Sequence, residues 1–252
     1  HSDFARRHYI EAYVMTGPLP GDAYDRLIEE SARIGSDFEM RNALGVIYDT
    51  QSPRGKNLAE LIAVAGEIGS DFELRQILGR LAKDAVADES VMAAYAKAAE
   101  GIGSDFELRQ ALEALMEAGG GPRGVIIALP VAEGISSDFE MRSLLEEAAS
   151  EAAGDEAASR LWLEAAATIG SDFELAQALT EFANKKPSSV ATWQALLETA
   201  RGIGSDHECA RFLVDATANM PDDPALEETF RSVMQGIGSD SDYRRVAKAL
   251  EG

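Results

Sequence analysis

A Ser-Asp step returns through this chain at almost constant intervals, with its aspartate at Asp3, Asp37, Asp71, Asp105, Asp138, Asp172, Asp206 and Asp240. The spacing is 34 residues throughout, except for 33 between Asp105 and Asp138. Around each step lies a longer box, clearest as Ile68-Gly69-Ser70-Asp71-Phe72-Glu73-Leu74-Arg75-Gln76. The seven intervals between the boxes at Ser2, Ser36, Ser70, Ser104, Ser137, Ser171, Ser205 and Ser239 fill almost all of the 252 residues. Whatever one unit folds into must therefore be repeated side by side.

The box reads as the end of one helix and the start of the next. The glycines ahead of the serine (Gly35, Gly69, Gly103, Gly170, Gly204 and Gly238) suit a C′ residue in the left-handed region. The serine is an N-cap, and the glutamate three residues on (Glu39, Glu73, Glu107, Glu140, Glu174 or Glu208) completes a capping box. The aspartate falls at the first helical position, where it meets the positive end of the helix dipole. Ser136 replaces the glycine once, which predicts a slightly strained or differently turned junction.

Downstream of each aspartate, apolar residues fall at offsets three, six, seven and ten, as in Leu108, Ala111, Leu112 and Leu115. Upstream, offsets of three, six, ten and thirteen do the same, as in Ile68, Ala65, Leu61 and Leu58. Both patterns mark one face of an α-helix. Each unit is thus read as two helices of roughly 14 residues, about 20 Å long. A small residue at minus six (Ala65, Ala99, Ala132, Ala166, Ala200) lets helices approach closely. Connections rich in Pro and Gly punctuate the units, as at 49–56, 119–124, 184–189 and 220–224. A helix pair this small cannot bury its apolar face alone. The expected fold is all-α: an α-α superhelix, a right-handed solenoid of about seven stacked helix pairs forming a single repeat domain over 1–252. The terminal boxes, with Arg6 in place of an aliphatic residue and Ser241 in place of Phe, read as polar caps.

Composition narrows the function classes. Hydrophobic residues make up 46%, and 23 Lys and Arg stand against 44 Asp and Glu for a formal charge of −21. That excess argues against nucleic acid and for a basic or neutral partner. No apolar run is long enough to span a bilayer, so direct membrane insertion is not expected. The single cysteine, Cys209, excludes a disulfide framework and a thiolate metal cluster. The chain opens on His1-Ser2-Asp3 rather than Met, which points to a processed protein or an excised segment.

The helix-pair period of 34 residues resembles that of tetratricopeptide repeats, and the stacked architecture is similar to that of HEAT repeats. The Trp-Leu-Gly-Tyr set of the former does not recur here. The Ile-Gly-Ser-Asp-Phe-Glu-x-Arg box instead resembles short helical repeats of bacterial envelope proteins, some attached to membrane metallopeptidase or adhesin-like regions. This resemblance implies a bacterial, extracytoplasmic or periplasmic setting. It implies no peptidase activity, because the sequence contains no HExxH motif.

Candidates for chemistry weigh little against structural readings. Pairs such as Asp71 with Glu73 could form a carboxylate dyad or calcium ladder, but capping explains both. The series Arg7, Arg41, Arg75, Arg109, Arg142 and Arg244, each four residues after its aspartate, suits a favourable pair with that aspartate on its own helix. Across the stack it reads first as a ladder in which each arginine reaches the carboxylate of the next unit. The alternative is an anion-binding stripe, for which Arg41, Arg75, Arg109 and Arg142 are the binding candidates. Ala176 and Ala210 interrupt the row. His207 and Cys209 lie two apart on a helix and face different ways. Both are read as replacements for packing residues. His1 and His8 are too few for a metal cluster. Trp162 and Trp193 lie on apolar faces as core fillers, with Tyr48 partly exposed. No phosphate loop, dinucleotide fingerprint or serine elbow occurs, so no cofactor is implied and no catalysis is expected. The functional expectation is a non-catalytic protein- or peptide-binding scaffold acting through an extended concave face, with a rigid spacer as the alternative. A binding module should carry an exposed aromatic or charged patch, whereas a spacer should be uniformly polar.

Overall fold

A computed structural model describes residues 2–250. Among these residues fifteen α-helices and two short 3-10 turns make an all-α fold without strands. The chain divides into two compact units, residues 1–119 and 120–252. The first holds α1 (Asp3–Val14), α2 (Gly21–Ala32), α3 (Asp37–Gln51), α4 (Lys56–Ala65), α5 (Asp71–Ala85), α6 (Glu89–Ala99) and α7 (Asp105–Gly119). The second holds α8 (Gly121–Ala128), α9 (Asp138–Ala153), α10 (Glu156–Ala166), α11 (Asp172–Asn184), α12 (Val190–Thr199), α13 (Asp206–Thr217), α14 (Pro224–Met234) and α15 (Asp240–Leu250). The 3-10 turns, Leu129–Gly134 and Ala200–Gly202, follow α8 and α12.

Within each unit the odd-numbered helices, which begin at the boxes, pack on one another in chain order, and the even-numbered helices do the same. Each unit is thus a solenoid stack of helix pairs in two layers. The offsets read from the sequence define the seam between the layers. Leu108, Ala111, Leu112 and Leu115 are buried, as are Leu58, Leu61, Ala65 and Ile68. The alanines at minus six are fully buried. Trp162 fills the core of the second unit, stacked on Phe182 at 4.2 Å, with its indole N–H donating to the Leu145 carbonyl at 2.7 Å. Trp193 is buried with its N–H on the Pro187 carbonyl. Tyr48 is half-buried and donates to Asp84 at 2.5 Å.

Three local expectations are corrected. The even-numbered helices are shorter than roughly 14 residues, ending at Ala32, Ala65, Ala99 and Ala166 rather than at the box. The chain then passes through bonds of the tighter 3-10 type, such as Ile68 N–H to the Ala65 carbonyl. The box glycines are also not left-handed. Among the described residues the glycines with positive φ are Gly17, Gly55, Gly120 and Gly121, outside the boxes. The corner is made instead by extended residues, such as Ile203 at φ −78°, ψ 106° and Ser205 at φ −81°, ψ 116°. The corner at Ser136 is not turned differently: Ile135 at φ −80°, ψ 116° and Ser137 at φ −78°, ψ 115° repeat the geometry of the other junctions. What differs lies upstream, where α8 gives way to the 3-10 turn holding Pro130, whose ring nitrogen cannot donate a helical bond.

Candidate functional site

The boxes concentrate the polar chemistry of each unit, and the structure reassigns several of their residues. Each box serine caps its helix: the Ser36, Ser70, Ser171 and Ser205 hydroxyls accept from the N–H three residues on at 3.4–3.5 Å. The glutamate, however, does not fold back to complete a local capping box. Glu39 accepts from Arg7 of the preceding box, Glu73 from Arg41, Glu107 from Arg75 at 2.8 Å, and Glu174 from Arg142. The preceding aspartate takes over the work at the corner. Asp71 accepts from the Gly103 N–H at 3.2 Å and the Ser104 N–H at 2.8 Å. Asp37, Asp138, Asp172 and Asp206 likewise hold the N–H of Gly69, Gly170, Gly204 and Gly238. Neither handedness nor space demands glycine at this position: a Cβ at Gly69 would stand 3.7 Å from an Asp37 carboxylate oxygen, an ordinary contact distance, and what the corner uses is the backbone N–H.

The aspartate and arginine of one box therefore clip the glycine, serine and glutamate of the next. The expected pair between aspartate and arginine on one helix gives way, because the stack offers each a better partner. Arg7, Arg109 and Arg142 instead pair four residues on, with Glu11, Glu113 and Glu146. Burial works against the Arg142 charge, yet hydrogen bonds to Glu146 and Glu174 outweigh it and hold its pKa above the ordinary value. Of the four binding candidates, Arg41 and Arg75 lie on cross-box glutamates, Arg142 on both kinds of partner, and Arg109 on Glu113.

Each of these arginines also lies over a phenylalanine ring, at 5.1–5.4 Å for Phe4, Phe38, Phe72, Phe106 and Phe139. These rings are not buried between units: their exposure runs from 46% at Phe106 to 56% at Phe4. The first unit thus carries a row of half-exposed rings, one per box helix, each propped by an arginine whose charge is already met by glutamate. The sequence did contain a signal. Phe sits one residue after the aspartate, off the apolar face at offsets three, six, seven and ten.

That exposure corrects two expectations about the seventh and eighth boxes. His207 stands in the Phe position and is itself exposed, 3.9 Å from Asp242, so it does not replace a packing residue. Ser241 needs no missing neighbour to explain it, since inner boxes leave this position uncovered as well. Cys209 is a core residue, its thiol pushed up to about 11 by burial, with Asp206 adding to the shift. His8 is half-exposed beside Glu11, while His1 lies outside the described residues.

The gaps at Ala176 and Ala210 are filled from the following box. Arg211, one residue past the usual position, lies 5.3 Å over Phe173 and 2.9 Å from Glu208. Arg245 occupies the equivalent place beside Asp242 at 3.3 Å and donates to the His207 carbonyl. The first exchange is imperfect. Thr180 Oγ1 and Glu208 Oε2 occupy the two partner positions of the missing arginine. Thr180 Oγ1 is buried without a hydrogen bond among the described residues, and Glu208 Oε2 meets Arg211 Nη2 as an ion pair too poorly directed to be a hydrogen bond.

Beyond the boxes, an open groove of about 730 Å³ lies between α1 and α2, lined by Tyr9, Ile10, Tyr13 and Leu27. Its charged residues pair with each other, Arg6 with Glu30 and Arg26 with Asp22. Among the described residues no group of three or more His, Cys, Asp or Glu is placed to hold a metal ion. No helix is long and apolar enough to cross a membrane.

No family model matches the chain, and no curated protein matches it. Among solved structures, a chain described under "Computational Design of Self-Assembling Cyclic Protein Homooligomers" aligns with all of this chain and 87% of its own. The identity is 14% and the TM-score 0.21, a likeness too slight to bear on fold or function.

Proposed function

We propose that the protein is a non-catalytic, helical-repeat scaffold that binds a protein or peptide partner along its row of box phenylalanines. The observation that carries this reading is the row of half-exposed rings itself, complete in the first unit at Phe4, Phe38, Phe72 and Phe106 and held by arginine. A uniformly polar spacer has no use for large rings kept in water in one repeat after another, and hydrophobic surface so arranged is characteristic of interaction sites. Arg41, Arg75, Arg109 and Arg142 enter as props for the rings rather than as an anion-binding stripe. The acidic balance favours a basic or neutral partner and disfavours nucleic acid. The reading treats residues 1–252 as one repeat domain, because the box period continues from Ser104 to Ser137. The resemblance to bacterial envelope repeats supports an extracytoplasmic, periplasmic setting.

A displayed random-peptide library tests the reading. Selection on the full chain should enrich a shared sequence pattern that is lost on a Phe38→Ser, Phe72→Ser, Phe106→Ser triple variant of unchanged fold. Selection that enriches nothing, or enriches equally on the variant, overturns it.

A further inference from the structure

The rings of the first unit are accompanied by a second row. One helical turn beyond Phe38, Phe72 and Phe106 lie Asn42, Gln76 and Gln110, on the same helix face by the four-residue spacing. Gln76 is exposed and the other two are half-buried. Among the described residues none of the three amides makes a side-chain hydrogen bond, although each carries two donors and an acceptor. Aromatic faces and unpaired amides therefore alternate with the repeat of the stack. Packed helices lie about 8–10 Å apart, which sets the spacing of both rows.

Of the conformations a bound segment can take, one matches that spacing and uses the amides. A polyproline II helix rises about 3.1 Å per residue with three residues per turn, so every third side chain recurs after about 9 Å. Its backbone carbonyls are free to accept hydrogen bonds. A β-strand repeats its facing side chains at about 6.6–6.8 Å, out of step with the rings. An α-helix has its carbonyls tied up internally and leaves the amides idle. Charge adds a third constraint: residues 1–119 hold 12 Lys and Arg against 21 Asp and Glu, and the ring-bearing arginines are neutralised in place.

We propose that this surface docks a basic segment in the polyproline II conformation. Every third side chain packs between successive phenylalanines, and backbone carbonyls accept from Asn42, Gln76 and Gln110. The proposal rests on the binding-scaffold reading and specifies the class of its partner. It lies wholly within the first unit.

The test is fluorescence anisotropy on the full chain with three labelled peptides of about twelve residues. One is built of Pro-Leu-Lys triplets, one of Pro-Leu-Glu triplets, and one is a proline-free Leu/Lys helix. The basic proline peptide should bind saturably and weaken with added salt. Phe72→Ser and Gln76→Ala should each reduce its affinity about tenfold, and the acidic peptide should not bind. Both substitutions are at surface positions, and an unchanged thermal melt confirms their fold. Failure of the basic proline peptide to bind, or binding indifferent to Gln76→Ala, overturns the proposal. If the helical peptide binds instead and is lost with Phe72→Ser, the polyproline inference falls while the scaffold reading stands. An empty library selection removes the scaffold reading itself.

Discussion

The boxes from Asp37 to Gln110 and those from Asp172 to Arg245 solve the same problem in two ways. In the first region the arginine four residues after the aspartate crosses to the glutamate of the next box and lies over its own ring. In the second, that position is alanine at Ala176 and Ala210. The arginine comes back from the following box, one residue later in register, as Arg211 and Arg245. The exchange preserves the ring contact at Phe173 but leaves Thr180 Oγ1 buried without a hydrogen bond and the Arg211–Glu208 ion pair poorly directed. What is retained in both regions is the contact between neighbouring boxes, not the position that supplies it. The second region also loses the aromatic row, at His207 and Ser241, after Phe173.

Breaking a regular rung should have the largest effect. Arg75→Ala removes the partner of a mostly buried Glu107 and the prop beneath Phe72. It should lower stability in urea unfolding by about 2–3 kcal/mol. Asp71→Ala leaves two corner N–H groups, those of Gly103 and Ser104, without their acceptor, and should lose about 1–2 kcal/mol. Asp206→Ala, which frees only the Gly238 N–H in the second region, should lose less.

The exchanged rung can be converted to the regular one. Arg211→Gln, which places the usual amide at that position, should lose about 1 kcal/mol with the cation–π contact over Phe173. Adding Ala176→Arg in that background should recover it, because the new guanidinium meets Thr180 Oγ1, which makes no hydrogen bond, and Glu208 Oε2, which Arg211→Gln has deprived of its ion pair. Ala176→Arg alone should gain less, since Arg211 still fills the space. A double variant no more stable than Arg211→Gln would show that the two registers are not alternatives.

The smallest effect separates Cys209 from the leucine of the regular boxes, Leu74. Burial holds the Cys209 thiol protonated, raising its pKa from the ordinary 9.0 to about 11 in the fold. The folded state binds this proton more tightly, so the contribution to stability is complete below about pH 9 and is lost as pH rises through about 11. A thiol reagent should react with Cys209 at neutral pH only after unfolding, and Cys209→Ala should flatten the alkaline end of the stability profile. Native reactivity matching that of the unfolded chain would contradict this burial.

Much of this was legible in the sequence, and the residues that were not share one cause. Helix periodicity and the serine cap are local, so Leu108 to Leu115 and Ser70 declared themselves. The S-x-x-E signature is also local and assigned Glu73 to its own serine, whereas the arginine ladder, read across units, had the right partner: Glu73 accepts from Arg41 of the preceding box. The glycines misled for the same reason: left-handed geometry is the usual local demand, whereas Gly69 answers to Asp37 one unit away. Comparison between units would have shown it. Each box that loses its arginine at offset four is followed by one that gains arginine at offset five.

The account depends on box residues acting between repeats. A double-mutant cycle of Arg75→Ala and Glu107→Ala, read by urea unfolding, measures that interaction without reference to either residue's other contacts. A coupling of about 1–3 kcal/mol is expected across the 32 residues that separate them. Strictly additive losses would mean that the arginine row ties no box to the next.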